Sequence, residues 1–196
     1  MLDFLGALPD ETWGNQMVNV ASNEDFEHMV QASVDLATEH PEIQDWEGSP
    51  FEWILAVPPG TRGKVGRQLV ATWAKKSGFP VRMVTEDKQL YLQIGGQLVQ
   101  VKMSTLWKSG IYRFQQIRDR DYDYCLCLGI SPRDVHVWLL PKEALGLHII
   151  GQLGQHTGAD SLETYWFDTG PGAVQPWLEP YGNQLSDARE QLAAVI

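Results

Sequence analysis

This sequence contains few cysteines, no long apolar run and no basic residues near its N-terminus. Its two cysteines, Cys125 and Cys127, lie two positions apart in an apolar run, so they alternate across a strand instead of forming a disulfide or a metal site. No run approaches the ~18 apolar residues of a membrane span, and the start MLDFLGALPDE lacks the features of a signal peptide. These absences predict a cytoplasmic protein that does not enter a membrane.

Basic residues are absent from the first sixty positions and concentrated in the next sixty. Residues 1–60 contain 12 acidic and no basic residues, residues 61–120 contain 3 acidic and 12 basic, and residues 121–196 contain 10 acidic and 3 basic. The local charges are therefore −12, +9 and −7, within a net charge of −10. A basic segment between acidic ones is typical of a binding site for a polyanion. The alternative is that these residues lie on solvated helix faces.

The stretch from Tyr91 to Arg118 has the most informative pattern. It predicts two strands around a tight glycine turn, followed by a basic segment rich in glutamine. In the second strand Gln100 and Lys102 share a polar face, and the residues that alternate with them are apolar. A lysine on the polar face of a central strand favours an anionic partner.

Helices and strands alternate around this hairpin. The spacing predicts an acidic helix from Ser22, a short helix that opens at Ser49, and a longer helix from Arg62 to about Ser77. Strands are predicted at 81–84, in the hairpin, at 124–130 and at 135–140, with residues 104–120 as a connecting segment. This order predicts an α/β fold with a mixed central sheet flanked by helices.

The pattern divides the chain into three regions. Residues 1–48 are predicted to form an acidic helical N-terminal segment, residues 49–147 the α/β core, and residues 148–196 a loop-rich extension. Within the extension, residues 159–181 are predicted as an irregular lid or dimer arm, and a short amphipathic helix is predicted from Leu185 to Val195.

Two glycines interrupt the longer predicted helix. Gly63 and Gly66 each cost about 1 kcal/mol of helix stability relative to alanine. This cost favours the close approach of another backbone or of a phosphate. Packing of small residues on the sheet explains the two glycines equally well.

These segments resemble the PD-(D/E)xK nuclease superfamily, which has the restriction-endonuclease-like fold. The resemblance covers about Ser49 to Leu147 and rests on SPFEWIL, GKVGRQLV, the hairpin ending VQVKMSTLW, YRFQQIRDRDYDY, CLCLGISP and VHVWLLPKE. In that family a helix precedes a meander whose second strand carries an acid and a lysine separated by one residue. The resemblance implies a restriction-endonuclease-like mixed central sheet, and DNA cleavage that depends on Mg²⁺ or Mn²⁺.

The resemblance also implies a set of catalytic residues, several of which depart from the family pattern. Phosphodiester hydrolysis uses carboxylates to hold the metal and a lysine to steady the nucleophile or the phosphate. Lys102 matches the lysine, Gln100 stands at the acid before it, and the glutamate of GxxGE-like versions is assigned to Gln68. No acid occurs at 91–93, so Asp87 is the predicted source of the first carboxylate and, with Gln100, a metal ligand. Glu86 and Glu52 are the alternatives.

The segment after the hairpin supplies the predicted DNA contacts. Side chains suited to phosphate binding are Ser104, Thr105, Lys108 and Arg113. Side chains with bidentate groups that read purine edges are Gln115, Gln116 and Arg118. Trp107 and Tyr112 are able to stack on bases, although aromatic residues beside a sheet more often belong to the core.

Two classes of function follow from these patterns. The first is a metal-dependent DNA endonuclease with an atypical QxK motif, expected as a homodimer because double-strand cleavage needs two sites. The second is a catalytically inactive nuclease-fold protein that binds DNA or partners a nuclease, which the three departures from the acidic pattern favour. A domain that binds only proteins would leave the +9 middle segment unexplained.

Overall fold

The computed structural model of the protein describes residues 29–32, 34, 36, 45–152, 154–155 and 164–195. The chain divides into two compact units, Met1–Pro41 and Glu42–Ile196. In the first unit the described residues are helical, within the helix predicted from Ser22, whose start lies outside the described residues. Over the parts of the chain that are described, no helix is both long and apolar enough to cross a membrane.

The second unit is a mixed α/β fold with a mainly antiparallel central sheet and flanking helices. Its helices are α1 (Trp53–Ala56), α2 (Pro59–Lys76), α3 (Lys142–His148) and α4 (Leu185–Val195). Its strands are β1 (Val81–Glu86), β2 (Gln89–Ile94), β3 (Gln97–Thr105), β4 (Tyr112–Ile117), β5 (Tyr124–Ile130), β6 (Val135–Pro141), β7 (Gly154–Gln155), β8 (Thr164–Thr169) and β9 (Gly182–Gln184). A 3₁₀ turn spans Glu179–Tyr181.

The strands form two sheets. The central sheet has the order β1-β2-β3-β5-β6-β9, in which β3 and β5 are parallel and every other neighbouring pair is antiparallel. A smaller sheet has the order β4-β8-β7. Because parallel strands need a crossover between them, the chain leaves the central sheet after β3 and returns at β5. Here the crossover contains β4, which belongs to the smaller sheet.

The central sheet is buried on both faces, by different elements. Val99 of β3 and Leu126 of β5 belong to an apolar core with α2 and α4, whereas Cys125, Cys127 and Trp138 belong to a second core with β4, β8 and α3. This arrangement explains the continuous apolar run of β5. It also leaves both cysteines buried and unoxidised, as the sequence predicts.

Helix α2 positions its side chains against β3. It starts with Pro59 at the first helical position, three residues earlier than predicted. It ends at the predicted place, where the Phe79 N–H donates to the Ala74 carbonyl and the Gly78 N–H to the Lys75 carbonyl, the hydrogen bonds of a Schellman motif. Between these ends, α2 touches β3 most closely at Gly66.

Two segments differ from the prediction. The connecting segment 104–120 contains β4, and the extension 148–196 contributes β8 to the smaller sheet and β9 to the central sheet. Strand β8 buries Tyr165 and Phe167 on alternate positions, which is the pattern of a strand with one covered face. The surrounding glycines, prolines and tryptophans hide that short pattern in the sequence. The helix predicted at Leu185–Val195 is confirmed as α4.

Candidate functional site

Lys102 lies in the middle of β3 and reaches the backbone of β4. Its ammonium group donates a hydrogen bond to the main-chain carbonyl of Gln116. Burial is the main cause that lowers the pKa of Lys102. The two cysteines of β5 oppose this shift, and the positive charges of Arg118 and Arg67 add to it. Arg67 and Arg118 therefore each lie close enough to repel the charge of Lys102.

A β-bulge in β4 supplies the carbonyl that Lys102 contacts. The pairing of β4 with β8 shifts register between Phe114 and Ile117, and Gln116 has a φ of 55°. A bulge sets two residues opposite one and leaves the extra residue outside the regular ladder. Gln115 and Gln116 occupy it, and both are exposed. The bulge therefore brings two predicted DNA-reading glutamines to the surface, and the backbone of one of them contacts Lys102.

Arg67 of α2 acts on Lys102 through its positive charge, from the helix that covers the other face of β3, and the sequence prediction did not include it. Arg67 is half-buried, and its Nε is enclosed without a hydrogen-bond partner among the described residues. Burial lowers its pKa, although a guanidinium stays protonated at neutral pH. The predicted residue, Gln68, is exposed on the same helix. In a GxxGE pattern the glutamate directly follows the second glycine, and Arg67 directly follows Gly66.

Gln100 has the second enclosed polar atom of the site. Its side chain is 8% exposed, and its Oε1 has no hydrogen-bond partner within the described part of the chain. β2 and β3 pair from Ile94 with Gln97 to Leu92 with Val99. Tyr91 follows at the next position, where the resemblance implies a carboxylate. It is buried instead, in contact with the ring of Tyr122.

The candidate carboxylates lie in turns. Asp87 is exposed in the two-residue turn between β1 and β2, where it and Lys88 have φ values of 47° and 61°. Burial raises the pKa of the Tyr91 hydroxyl, and Asp87 and Glu86 add to the shift, so both act on that tyrosine. Glu52 accepts a hydrogen bond of 3.0 Å from the Gly48 N–H and stabilises the turn before α1.

The donor set around Lys102 does not fit a divalent metal. In the ranges that the structure describes, no three or more histidine, cysteine, aspartate or glutamate side chains are grouped so that they could hold an ion. Gln100 offers one neutral oxygen on the same strand face as Lys102, whose charge is already raised in cost by Arg67 and Arg118. Mg²⁺ and Mn²⁺ prefer anionic oxygen ligands, and these cations would repel either ion.

Two of the predicted phosphate ligands are engaged within the protein. The Ser104 hydroxyl accepts a hydrogen bond of 3.0 Å from the Arg113 main-chain N–H and links β3 to β4. The Arg113 guanidinium forms two hydrogen bonds to Asp168, of 2.7 and 2.6 Å. It also lies between two indole rings, 4.8 Å from the centre of Trp107 and 4.5 Å from that of Trp166. Arg113 thus holds β4, β8 and the loop after β3 together.

The remaining predicted contacts are half-exposed or exposed. Lys108 is exposed in the loop after β3, and Thr105 and Arg118 are half-exposed. The segment that carries Arg118 is held in place, because the Tyr122 hydroxyl donates to the Arg118 carbonyl at 2.9 Å. Lys142 secures the same segment through an ion pair of 2.6 Å with Asp119 and a hydrogen bond to the Arg120 carbonyl.

Arg120 is a further cation that the sequence prediction missed. Its Nε is enclosed without a partner among the described residues. Its charge lowers the pKa of Tyr91 against the dominant effect of burial, so the guanidinium lies near that hydroxyl. The basic run RDR at 118–120 was the available signal, but the sequence does not tell which of its two arginines turns inward.

No protein-family model and no curated protein matches the chain significantly. In structure the chain is similar to a bacterial homing endonuclease, I-Ssp6803I, with a TM-score of 0.42 and 16% sequence identity. The similarity covers 70% of this chain and 96% of the endonuclease chain.

Proposed function

We propose that this protein binds DNA through a nuclease-like core, with Arg67, Lys102 and Arg118 as ligands for backbone phosphates and without a requirement for a divalent metal. The observation that carries the proposal is Lys102 of β3, which is held against the bulge of β4 with Arg67 and Arg118 near enough to lower its pKa. None of the three side chains has an ion-pair partner within the described residues.

The electrostatics of the site support an anionic ligand. Burial and two like charges lower the pKa of Lys102. The charged form of the lysine is therefore less stable in the free protein than it would be in water. A phosphate between the cations would offset this cost. The Gln116 carbonyl accepts one hydrogen bond, and an ammonium group has three N–H donors, so two remain for a phosphate oxygen.

The topology also supports this function. Helix α2 precedes a meander that carries Lys102, as in the resemblance to PD-(D/E)xK nucleases, although Lys102 lies on the third strand of the β1-β2-β3 meander and the resemblance implied the second. The carboxylates of that family are replaced here by Tyr91, Gln100 and Arg67. A site that keeps the phosphate-binding lysine but lacks the metal-binding carboxylates is better suited to binding DNA than to hydrolysing it.

The proposal is tested by titration of duplex DNA at several salt concentrations, with EDTA present. Binding should weaken steeply as salt rises, because phosphate contacts release counterions. Arg67→Gln, Lys102→Gln and Arg118→Gln should each weaken binding and reduce the salt slope by about 1. The control is Lys76→Gln, an exposed lysine in the last turn of α2, which should leave the slope unchanged. Absent binding, or binding that is abolished by EDTA, would contradict the proposal.

A metal-dependent endonuclease is the second candidate, and one observation favours it. The enclosed Gln100 Oε1 has no hydrogen-bond partner among the described residues, and Gln100 lies two residues before Lys102, as the ligand of a QxK motif would. The carboxylates that hold the metal would have to come from residues other than those described around Lys102. Nicking of supercoiled plasmid with Mn²⁺, abolished by Lys102→Ala, would establish this function in place of the first.

A further inference from the structure

A tryptophan near the end of β3 is fixed at the surface with one face covered. Trp107 begins the loop between β3 and β4, and its indole is 46% exposed. The loop is closed by two hydrogen bonds of 2.9 Å, from the Trp107 N–H to the Ile111 carbonyl and from the Gly110 N–H to the Trp107 carbonyl. The backbone that carries the ring is therefore held in one conformation.

The covered side of the Trp107 ring stacks on the guanidinium of Arg113. Arg113 lies against both the Trp107 ring and the Trp166 ring, while Asp168 holds both arms of its guanidinium. These contacts restrict the rotamer of Trp107 before any ligand binds. A ligand that stacks on a fixed ring avoids most of the entropy cost of ordering it.

The remainder of the ring borders a pocket of about 410 Å³. Its apolar walls include Trp46 and Leu55, and its polar rim includes Thr105, Lys108 and Ser109. A flat aromatic face with hydroxyl and ammonium groups at the rim matches the shape and chemistry of a nucleotide, whose base is flat and apolar and whose phosphate is anionic.

We propose that Trp107 is the stacking platform for one unpaired nucleobase of bound DNA. The proposal rests on the DNA-binding function proposed above and adds a preference for DNA that offers a base outside the duplex. A base in an intact duplex is stacked on both sides and cannot reach the pocket without leaving the helix. Stacking depends on the face that all bases share, so the preference is for an unpaired base of any sequence.

The probe is a short duplex with one extrahelical 2-aminopurine, compared with the same duplex fully paired. Stacking on an indole quenches 2-aminopurine, so the wild-type protein should quench the first probe and bind it more tightly than the second. Trp107→Leu should abolish the quenching and weaken binding of the first probe about 5- to 150-fold, the range for loss of one base-stacking contact. Trp107→Phe should restore part of both effects, because it keeps an aromatic face.

The matched control is Trp53→Leu. Trp53 is 51% exposed on α1 and borders a different pocket, so quenching should persist in this variant. Equal affinity of the wild type for the two probes, or quenching that survives Trp107→Leu, would overturn the stacking site while leaving DNA binding intact. A Trp107→Leu variant that changes only self-association in sedimentation would also overturn it. Failure of the wild type to bind either probe would instead refute the DNA-binding function on which the proposal rests.

Discussion

Gly66 of α2 lies so close to Met103 of β3 that a Cβ atom at position 66 would be 2.7 Å from the Met103 Cβ. The nearest obstruction is the first side-chain atom of a residue in a central strand, which cannot rotate away. Helix and strand would have to separate to admit a methyl group. Close packing of α2 on the sheet, one of the two explanations that the sequence left open, is therefore the role of this glycine.

Gly66→Ala should destabilise the protein by roughly 1–3 kcal/mol, the usual cost of adding volume to a filled core. The measurement is the free energy of unfolding from urea titration. Gly63→Ala is the matched control, because the nearest atom to its added Cβ is the flexible end of Arg67 at 3.9 Å. That change should stabilise the protein by up to about 1 kcal/mol through helix propensity. Equal effects of the two substitutions would contradict the close contact.

Introduced carboxylates should create metal affinity only at the positions that surround Lys102. Gln100→Glu combined with Arg67→Glu removes one cation and adds two anions beside the lysine, so binding of Mn²⁺ should become measurable by calorimetry. Gln100→Glu combined with Gln68→Glu has the same number of new carboxylates but keeps Arg67 and places one glutamate in solvent. This second variant should bind Mn²⁺ more weakly. Tighter binding by the Gln68 variant would show that position 68 belongs to the site.

The stability of the protein should fall as the pH drops through the titration range of His136. Burial lowers the pKa of His136, with partial opposition from Asp134, whose carboxylate is 3.6 Å from Nε2. The unfolded chain, with a pKa of about 6.5, thus binds the proton more tightly than the folded chain. The loss begins near pH 6.5 and is complete below the folded pKa.

Urea titrations at about pH 5 and about pH 8 measure this loss. His136→Asn should reduce the difference between the two pH values, since the buried titrating group is gone. Asp134→Asn should enlarge the difference, since the carboxylate that partly offsets the imidazolium charge is removed. An unchanged difference in the His136 variant would assign the pH dependence to other groups.

Arg113 and Asp168 should show favourable coupling in a double-mutant cycle. Each single change to alanine removes the two-point pairing and leaves the other partner in place, so the double mutant should lose less stability than the two single mutants together. Arg113→Lys keeps the charge but loses the planar fork and the stacking between Trp107 and Trp166, so it should not restore wild-type stability. Additive losses in urea unfolding would show that the pair is not coupled.

The elements that the sequence predicts well are those with a strong local period. The hairpin of β2 and β3, the apolar strands β5 and β6, and helices α2 and α4 all occur where their patterns place them. The two faces of β3 also follow from alternation, which places Gln100 and Lys102 on the same side. For these elements the pattern of apolar and polar residues nearby in the chain is enough to predict which side chains are buried.

The site itself depends on contacts between distant segments, which local patterns do not show. The guanidinium of Arg113 is engaged by Asp168, 55 positions away, so its availability to DNA cannot be judged from the segment in which it stands. Gln68 and Arg67 are adjacent on α2, and neighbouring residues on a helix point about 100° apart. An error of one position in the sequence alignment therefore selects a side chain with a different environment. Only the packing of α2 on the Met103 face of β3 fixes that Arg67 is half-buried and Gln68 exposed.

Strands β4 and β8 are far apart in the sequence, which affects the chain while it is being synthesised. Phe114 of β4 is covered by Phe167 of β8, at a ring separation of 5.3 Å, and the two strands are joined by pairs such as Arg113 with Asp168, 55 positions apart. At about 5–20 residues per second, the ribosome needs roughly 3–11 s to add that length. During this interval β4 and β5 are made, but β4 lacks the strand that it pairs with and Phe114 lacks its contact with Phe167. Nascent chains of this protein should therefore engage chaperones between the synthesis of β4 and that of β8, and release them once Phe167 has emerged.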